Sequence, residues 1–218
     1  MITTVAFDAD HTLVDLSPAV RAGLAAVAAE TGLDAAVLKA DADAHWAATP
    51  QLPAREIRIA SLRQSLARVR READLDAMVE LFFRIRYSLS RPYPGTVEVL
   101  AKLRTDYLLG YATNANSRAD LCGLAGEFAF EIYALRNGVP KKPAAGFFHA
   151  VLAAAAARPE QVVYVGDTYE HDVVGAAGAG LRTVWLNRGG APVPGDVVPD
   201  AEITDLGELP ALLARWTL

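Results

Sequence analysis

Residues 2–12 read Ile2-Thr3-Thr4-Val5-Ala6-Phe7-Asp8-Ala9-Asp10-His11-Thr12, an apolar run that ends in Asp-x-Asp. Such a run is the mark of a buried strand, and acid at its end is aimed at a cleft. Side chains at i and i+2 of an extended segment share a face, so Asp8 and Asp10 are expected to converge. Two carboxylates about 4 Å apart repel by ~4 kcal/mol in a partly shielded setting, which calls for a cation or a shared proton. The plain alternative is a surface turn in which Asp10 caps the next helix.

Working outward, residues 18–91 lack a strand pattern, and their Ala/Leu/Arg-rich stretches predict about four helices. Ser17-Pro18 reads as a serine cap with proline at the first helical position, and Thr31-Gly32 as the stop. Further helices are expected over 34–48, 54–70 and 73–90, and Pro92-Tyr93-Pro94-Gly95 reads as the return linker. From Thr96 onward helices and short apolar runs alternate, with strands expected over 107–113, 130–134, 162–165 and 183–186. Helices are expected over 97–104, 118–124, 145–156 and 173–179. This is the pattern of a doubly wound parallel sheet in an α/β fold. The domains are expected at 1–15 with 92–218, the α/β core, and at 16–91, an inserted all-α segment.

Composition narrows the function classes. The chain has 218 residues, 52% of them hydrophobic and 22% charged, which suffices for a full core. Its net charge of −5 argues against general nucleic-acid binding. Residues 16–92 hold 11 Lys/Arg against 9 Asp/Glu and the remainder 10 against 17, so an anionic substrate would favour the middle segment weakly. No leader pattern and no run near the ~18 apolar residues of a membrane span is visible, so cytoplasmic placement without membrane association is expected. Cys122 is the single cysteine, which excludes an internal disulfide and a cysteine zinc cluster. Gly175-Ala-Ala-Gly178-Ala-Gly180 has the wrong spacing for a dinucleotide loop and suits helix packing.

In open α/β sheets functional groups gather at the carboxyl ends of the strands. There stand Asp8 and Asp10, then Thr113-Asn114, then Gly166-Asp167 with Asp172 five residues on, while Lys142-Pro143 precedes a helix. Carboxylates, one hydroxyl and one lysine suit a hard divalent cation beside a phosphoryl group. Taken singly, Thr113 is a strand-end hydroxyl, Lys142 a surface lysine and Asp172 a helix cap; their joint placement is the informative feature.

In these motifs, and in Tyr93-Pro94-Gly95 and Asn187-Arg188-Gly189, the sequence resembles the haloacid dehalogenase superfamily, in its phosphatase branch with an inserted helical cap. The resemblance spans nearly the whole chain. It implies a Rossmann-like core under a helical-bundle cap and Mg²⁺-dependent hydrolysis of a small phosphomonoester: a sugar phosphate, nucleotide or phosphoglycolate-like acid. By resemblance Asp8 is the nucleophile and a metal ligand, and Asp10 the general acid and base whose backbone carbonyl also meets the metal. Asp167 and Asp172 complete the metal set; Thr113, the Asn114 amide and Lys142 hold the phosphoryl group. His11 stands where the family commonly has glycine and is a candidate substrate contact. Ala144-Ala145 replace the frequent Asp-Pro after Lys-Pro. The resemblance implies a monomer or homodimer. It leaves rivals open: a β-phosphoglucomutase-like phosphotransferase, a 2-haloacid dehalogenase, for which Asp10 is superfluous, a phosphonoacetaldehyde hydrolase with Lys39 as its cap lysine, and a non-catalytic binding protein. Among cap residues, Arg55, Arg58, Arg63, Arg68, Arg70 and Arg71 form a basic stretch, and Trp46 and Tyr87 suit helix packing.

Overall fold

A computed structural model describes residues 1–217. The chain divides into two compact units, Met1–Val14 with Pro92–Leu218, and Asp15–Arg91.

The first unit is built on a six-stranded parallel sheet. Its strands are β1 (Thr4–Phe7), β2 (Leu108–Thr113), β3 (Phe130–Tyr133), β4 (Val162–Gly166), β5 (Arg182–Leu186) and β6 (Ala201–Ile203), in the order β3-β2-β1-β4-β5-β6. Thr4 lies opposite both Leu108 and Val162, so β1 is central and the strand order reverses beside it. Burial on both faces explains why β1 and β4 read as unbroken apolar runs. Val5, Phe7, Leu109, Tyr111, Val163, Val165 and Val184 face one layer, with Leu100 and Leu103 of a helix at Thr96–Leu103 and Leu209 and Leu213 of another at Leu209–Thr217. Ala6, Ala112, Val162 and Tyr164 face the other, against Phe147, Phe148 and Val151 of the helix Ala145–Ala155. Alternate residues of one strand thus feed two cores, the doubly wound arrangement of an α/β Rossmann-like fold.

The second unit holds four helices, α1 (Ser17–Thr31), α2 (Ala35–Ala48), α3 (Ala54–Ala67) and α4 (Leu75–Leu89). Leu24, Val27, Leu38, Leu62, Leu66, Val79, Phe82 and Phe83 form its core. Gly23 admits the Phe82 ring, which would stand 2.8 Å from a Cβ there. The buried Asp41 carboxylate accepts from Ser65 Oγ at 2.7 Å, Gln64 Nε2 at 2.8 Å and Arg68 Nη2 at 2.6 Å. The bond from Arg68 is the main reason its pKa lies below the usual range.

Three local expectations need correction. Leu16, not Ser17, occupies the cap position of α1; its backbone is already right-handed helical and no side chain caps the turn, so Ser17 and Pro18 both lie inside the helix. Residues 118–124 form only a short 3₁₀ turn, Ala119–Cys122, stopped by Gly123 at φ 78°. The helix expected at 173–179 begins earlier, as a wide turn of π type over Tyr169–Val174 that runs into Gly175–Gly178. Asp172 accounts for that early start: its N–H donates to the Thr168 carbonyl at 2.8 Å, and its carboxylate accepts from the Thr168 N–H at 2.9 Å.

Candidate active site

The carboxyl ends of β1, β2 and β4 lie side by side at the point where the strand order reverses, the place where open α/β sheets collect ligands. Asp8 follows β1 and is fixed by its N–H, which donates to the Val165 carbonyl at 2.9 Å. Asp167 follows β4, and Asp172 reaches back from the wide turn. One carboxylate oxygen from each of Asp8, Asp167 and Asp172 lies within 4.8 Å of the others. Gly166 makes this possible, because a Cβ at that position would overlap the Asp172 carboxyl group.

Lys142 sits among these acids and is buried. Its Nζ donates to Asp8 Oδ1 at 2.6 Å, to Asp172 Oδ1 at 2.6 Å and to the Tyr164 hydroxyl at 3.0 Å. All three protons of the ammonium have partners. The Tyr164 hydroxyl in turn donates to the Ala112 carbonyl at 2.6 Å. Asn114 clamps the Lys142 backbone, accepting its N–H at 2.7 Å and donating to its carbonyl at 3.0 Å. The Asn114 side chain therefore shapes the lysine loop, a role that the sequence reading, which looked to its backbone amide, did not include.

Asp10 lies past the end of β1. The chain leaves the extended conformation after Phe7 and turns tightly, with the N–H groups of Leu13 and Val14 donating to the Ala9 carbonyl at 2.8 and 2.9 Å. The Asp10 carboxylate accepts a hydrogen bond from the Ser117 hydroxyl and stands outside the three-acid group. At His11 the turn requires φ 64°, the left-handed region that glycine adopts most freely and histidine tolerates. Thr113 is buried at the end of β2, where its Oγ1 accepts from the Ala115 N–H at 3.0 Å.

Three carboxylates share one ammonium. Burial, then the charges of Asp8 and Asp172, push the Asp167 carboxyl up to about 7. Burial and the Asp8 charge likewise raise Asp172 to about 6, against the pull of Lys142. For Lys142 burial is the largest influence and lowers its pKa, yet Asp172 and Asp8 outweigh it and keep the ammonium well above the ordinary lysine value. A crowded, partly desolvated oxygen set of this kind suits a hard divalent cation.

The pH dependence follows. Asp167 and Asp172 have pKa values above those of unfolded carboxylates, so between about pH 4 and pH 7 the folded protein binds more protons than the unfolded one. Their contribution to stability falls as pH rises through that window. A cation bound to the ionised acids offsets this loss, so Mg²⁺ is expected to raise the melting temperature of the chelator-treated protein more at pH 8 than at pH 5. Thermal denaturation at the two pH values checks this, and a shift independent of pH contradicts it.

The sequence offers no signal for the roles of Ser117, Thr12 or Trp185. Thr12 Oγ1 donates to Asp167 Oδ1 at 3.3 Å, and Trp185 Nε1 donates to the Asp167 carbonyl at 2.8 Å. The alternation of β4 does hint at Tyr164, a polar-tipped residue between Val163 and Val165 on the face opposite theirs.

Residues 2–180 match the family model of haloacid dehalogenase-like hydrolases. Among curated relatives, the pyrimidine 5′-nucleotidase YjjG of Escherichia coli is 31% identical over 141 residues, 62% of this chain and 63% of that protein. The phosphoserine phosphatase of Thermus thermophilus is 35% identical over 141 residues, 61% of this chain and 55% of its own length. The alignments thus span less than two thirds of these relatives. Among solved structures, the 2-haloacid dehalogenase of Pseudomonas syringae pv. tomato superposes with a TM-score of 0.81 at 31% identity, covering 99% of this chain and all of that one. The magnesium-bound hydrolase YfnB of Bacillus subtilis gives 0.82 at 23% identity over 97% and 98%, a likeness of fold.

Proposed function

The chain belongs to the haloacid dehalogenase-like hydrolase family, and from that premise we propose that it is a Mg²⁺-dependent phosphatase of small phosphomonoesters, with residues 16–91 as its inserted cap. The observation that carries this reading is the Lys142 ammonium clamped between Asp8 and Asp172, with Asp167 beside them. It sets a positive charge against Asp8 in a buried, acid-rich pocket, where a carboxylate nucleophile would work. The curated relatives named as nucleotidase and phosphatase support the same class.

The residues divide the work. An Asp8 carboxylate oxygen attacks phosphorus, and the bond from phosphorus to the leaving oxygen breaks as Asp10 gives that oxygen its proton. Asp10 then takes a proton from the water that attacks the Asp8-bound phosphoryl group, which releases phosphate and restores Asp8. Ser117 orients the Asp10 carboxylate for both transfers. Lys142 offsets phosphoryl charge, and Thr113 and the Asn114 amide present donors to its oxygens. Asp8, Asp167, Asp172 and the Asp10 carbonyl would hold Mg²⁺, which when bound supplies charge neutralisation and Lewis-acid polarisation of the phosphoryl oxygens.

A second reading, halide displacement from carbon, is favoured by the full-length likeness to the Pseudomonas syringae dehalogenase. The Ser117-oriented Asp10 argues against it, since attack on an alkyl halide needs no proton donor at the leaving group. For the phosphonoacetaldehyde hydrolase reading, which needs a cap lysine to form a Schiff base, Lys39 is exposed and paired with Asp43 at 2.5 Å on the surface of the helical unit. One assay separates these readings: p-nitrophenyl phosphate and a 2-haloacid, each with Mg²⁺ and with excess chelator. The proposal expects phosphate release that chelation abolishes and no halide release. Halide release indifferent to chelator would replace it with the second reading.

A further inference from the structure

Beside Asp167 lies a cavity of about 260 Å³ lined by His11, Tyr93, Asp167, Leu186, Asn187, Arg188 and Gly189. Its lining carries one fixed cation. The Arg188 guanidinium lies over the Tyr93 ring at 4.1 Å, and its Nη2 donates to the Thr12 carbonyl at 3.0 Å. These two contacts fix the plane of the fork and occupy one of its five N–H donors. Among the described residues Arg188 makes no ion pair with a carboxylate, although the chain as a whole is acidic.

The rest of the lining agrees with an anionic occupant. Asn187 is committed to its own loop: its Nδ2 donates to the Ala191 carbonyl and to Glu202 Oε1, both at 2.7 Å, and its Oδ1 accepts from the Ala191 N–H. That network shapes the turn that presents Arg188. His11 is an exposed member of the same lining, with a left-handed backbone. Asp167 is the one acid on the lining, and its carboxylate belongs to the group with Asp8 and Asp172. The volume equals roughly nine waters at ~30 Å³ each, room for a small fragment and less than the ~300 Å³ at which pockets for drug-sized ligands begin.

We propose that Arg188, with His11, receives a carboxylate on the non-reacting part of the substrate, so that the preferred substrate is a small phosphorylated carboxylic acid. The inference rests on the phosphatase reading and narrows it. Guanidinium and carboxylate match in a two-pronged hydrogen-bonded pair, and a fork already held by Tyr93 and Thr12 loses little freedom on pairing.

A matched pair of substrates tests it. 3-Phosphoglycerate and glycerol 3-phosphate differ only in a carboxylate against a hydroxymethyl group. The wild-type protein is expected to favour the acid in kcat/KM, and Arg188→Gln to lower that preference about tenfold, mainly through KM, as loss of a charge-assisted pair does. Tyr93→Leu, which keeps the charge and removes its platform, is expected to lower the preference by less. Arg188→Gln with the wild-type preference overturns the inference, and so does a wild-type protein that favours the alcohol or hydrolyses p-nitrophenyl phosphate but not the acid. In those cases the phosphatase reading stands. Failure to hydrolyse any phosphomonoester in the presence of Mg²⁺ removes the reading and the inference together.

Discussion

Replacing Asp8 by asparagine is expected to lower phosphomonoester turnover by roughly 10⁴ to 10⁶, the range seen when an enzyme loses a central member of its nucleophilic machinery. An amide is close to a carboxylate in size, so the variant keeps an oxygen for Lys142, now 2.6 Å from Asp8 Oδ1. It lacks the charge and the nucleophilicity. One of three crowded carboxylates also disappears, so the metal-free variant is expected to melt no lower than the metal-free wild type at pH 8, above the values of Asp167 and Asp172. A folded, inactive protein separates loss of chemistry from loss of structure. Steady-state kinetics beside thermal denaturation makes the distinction, and a variant with more than a tenth of the wild-type rate would contradict the assignment of Asp8.

Lys142→Met has the largest expected effect on stability. Lys142 is 4% exposed and bridges Asp8 and Asp172, themselves buried. Removing one partner of a buried ionic cluster costs about 3–5 kcal/mol, because the remaining charges lose their compensation. For a chain of this length that corresponds to a melting temperature lower by roughly 10 °C. The sign with pH is fixed as well. Without the ammonium, Asp172 and Asp167 become harder to ionise in the folded protein, so their folded-state pKa values rise further above the unfolded ones. The deficit of the variant is therefore small at pH 5 and grows toward pH 8. Melting curves of the two proteins at both pH values, in chelator, give the comparison; an equal deficit at the two values would mean that Lys142 acts by packing alone. Turnover is expected to fall together with stability, since the same ammonium contacts Asp8 and would offset phosphoryl charge.

Much of the architecture is legible along the chain because parallel strands buried on both faces leave unbroken apolar runs. β1 and β4 show it, and the acids that follow them are exposed in the sequence as the first charges after each run. Those runs locate the ends of the strands, and the sheet brings the ends together. The details lost are of two kinds. Some depend on where the backbone stops being extended: the strand ends at Phe7, the chain turns at Ala9, and Ser117 meets the Asp10 carboxylate there. Others depend on contacts remote in sequence. Tyr164 reaches Lys142 across 22 residues and Ser117 reaches Asp10 across 107, and neither spacing has a local signature. Gly166 is a third case: its need is visible only once the Asp172 carboxyl group occupies the space of a Cβ. The first helix runs from Ser17 to Thr31 and stops at Gly32 as expected, and only its serine cap failed, since Leu16 already adopts helical dihedrals and leaves Ser17 no capping position to fill.

The central claim is that Asp8 carries the phosphoryl group during turnover. Its most direct measurement is peptide mass spectrometry of wild-type protein quenched in acid while hydrolysing p-nitrophenyl phosphate with Mg²⁺, with Asp8→Asn treated alike. The account predicts a peptide containing Asp8 that is heavier by one phosphoryl group in the wild type and unmodified in the variant. A phosphoryl group on any other residue, or equal labelling of that peptide in both proteins, would contradict it.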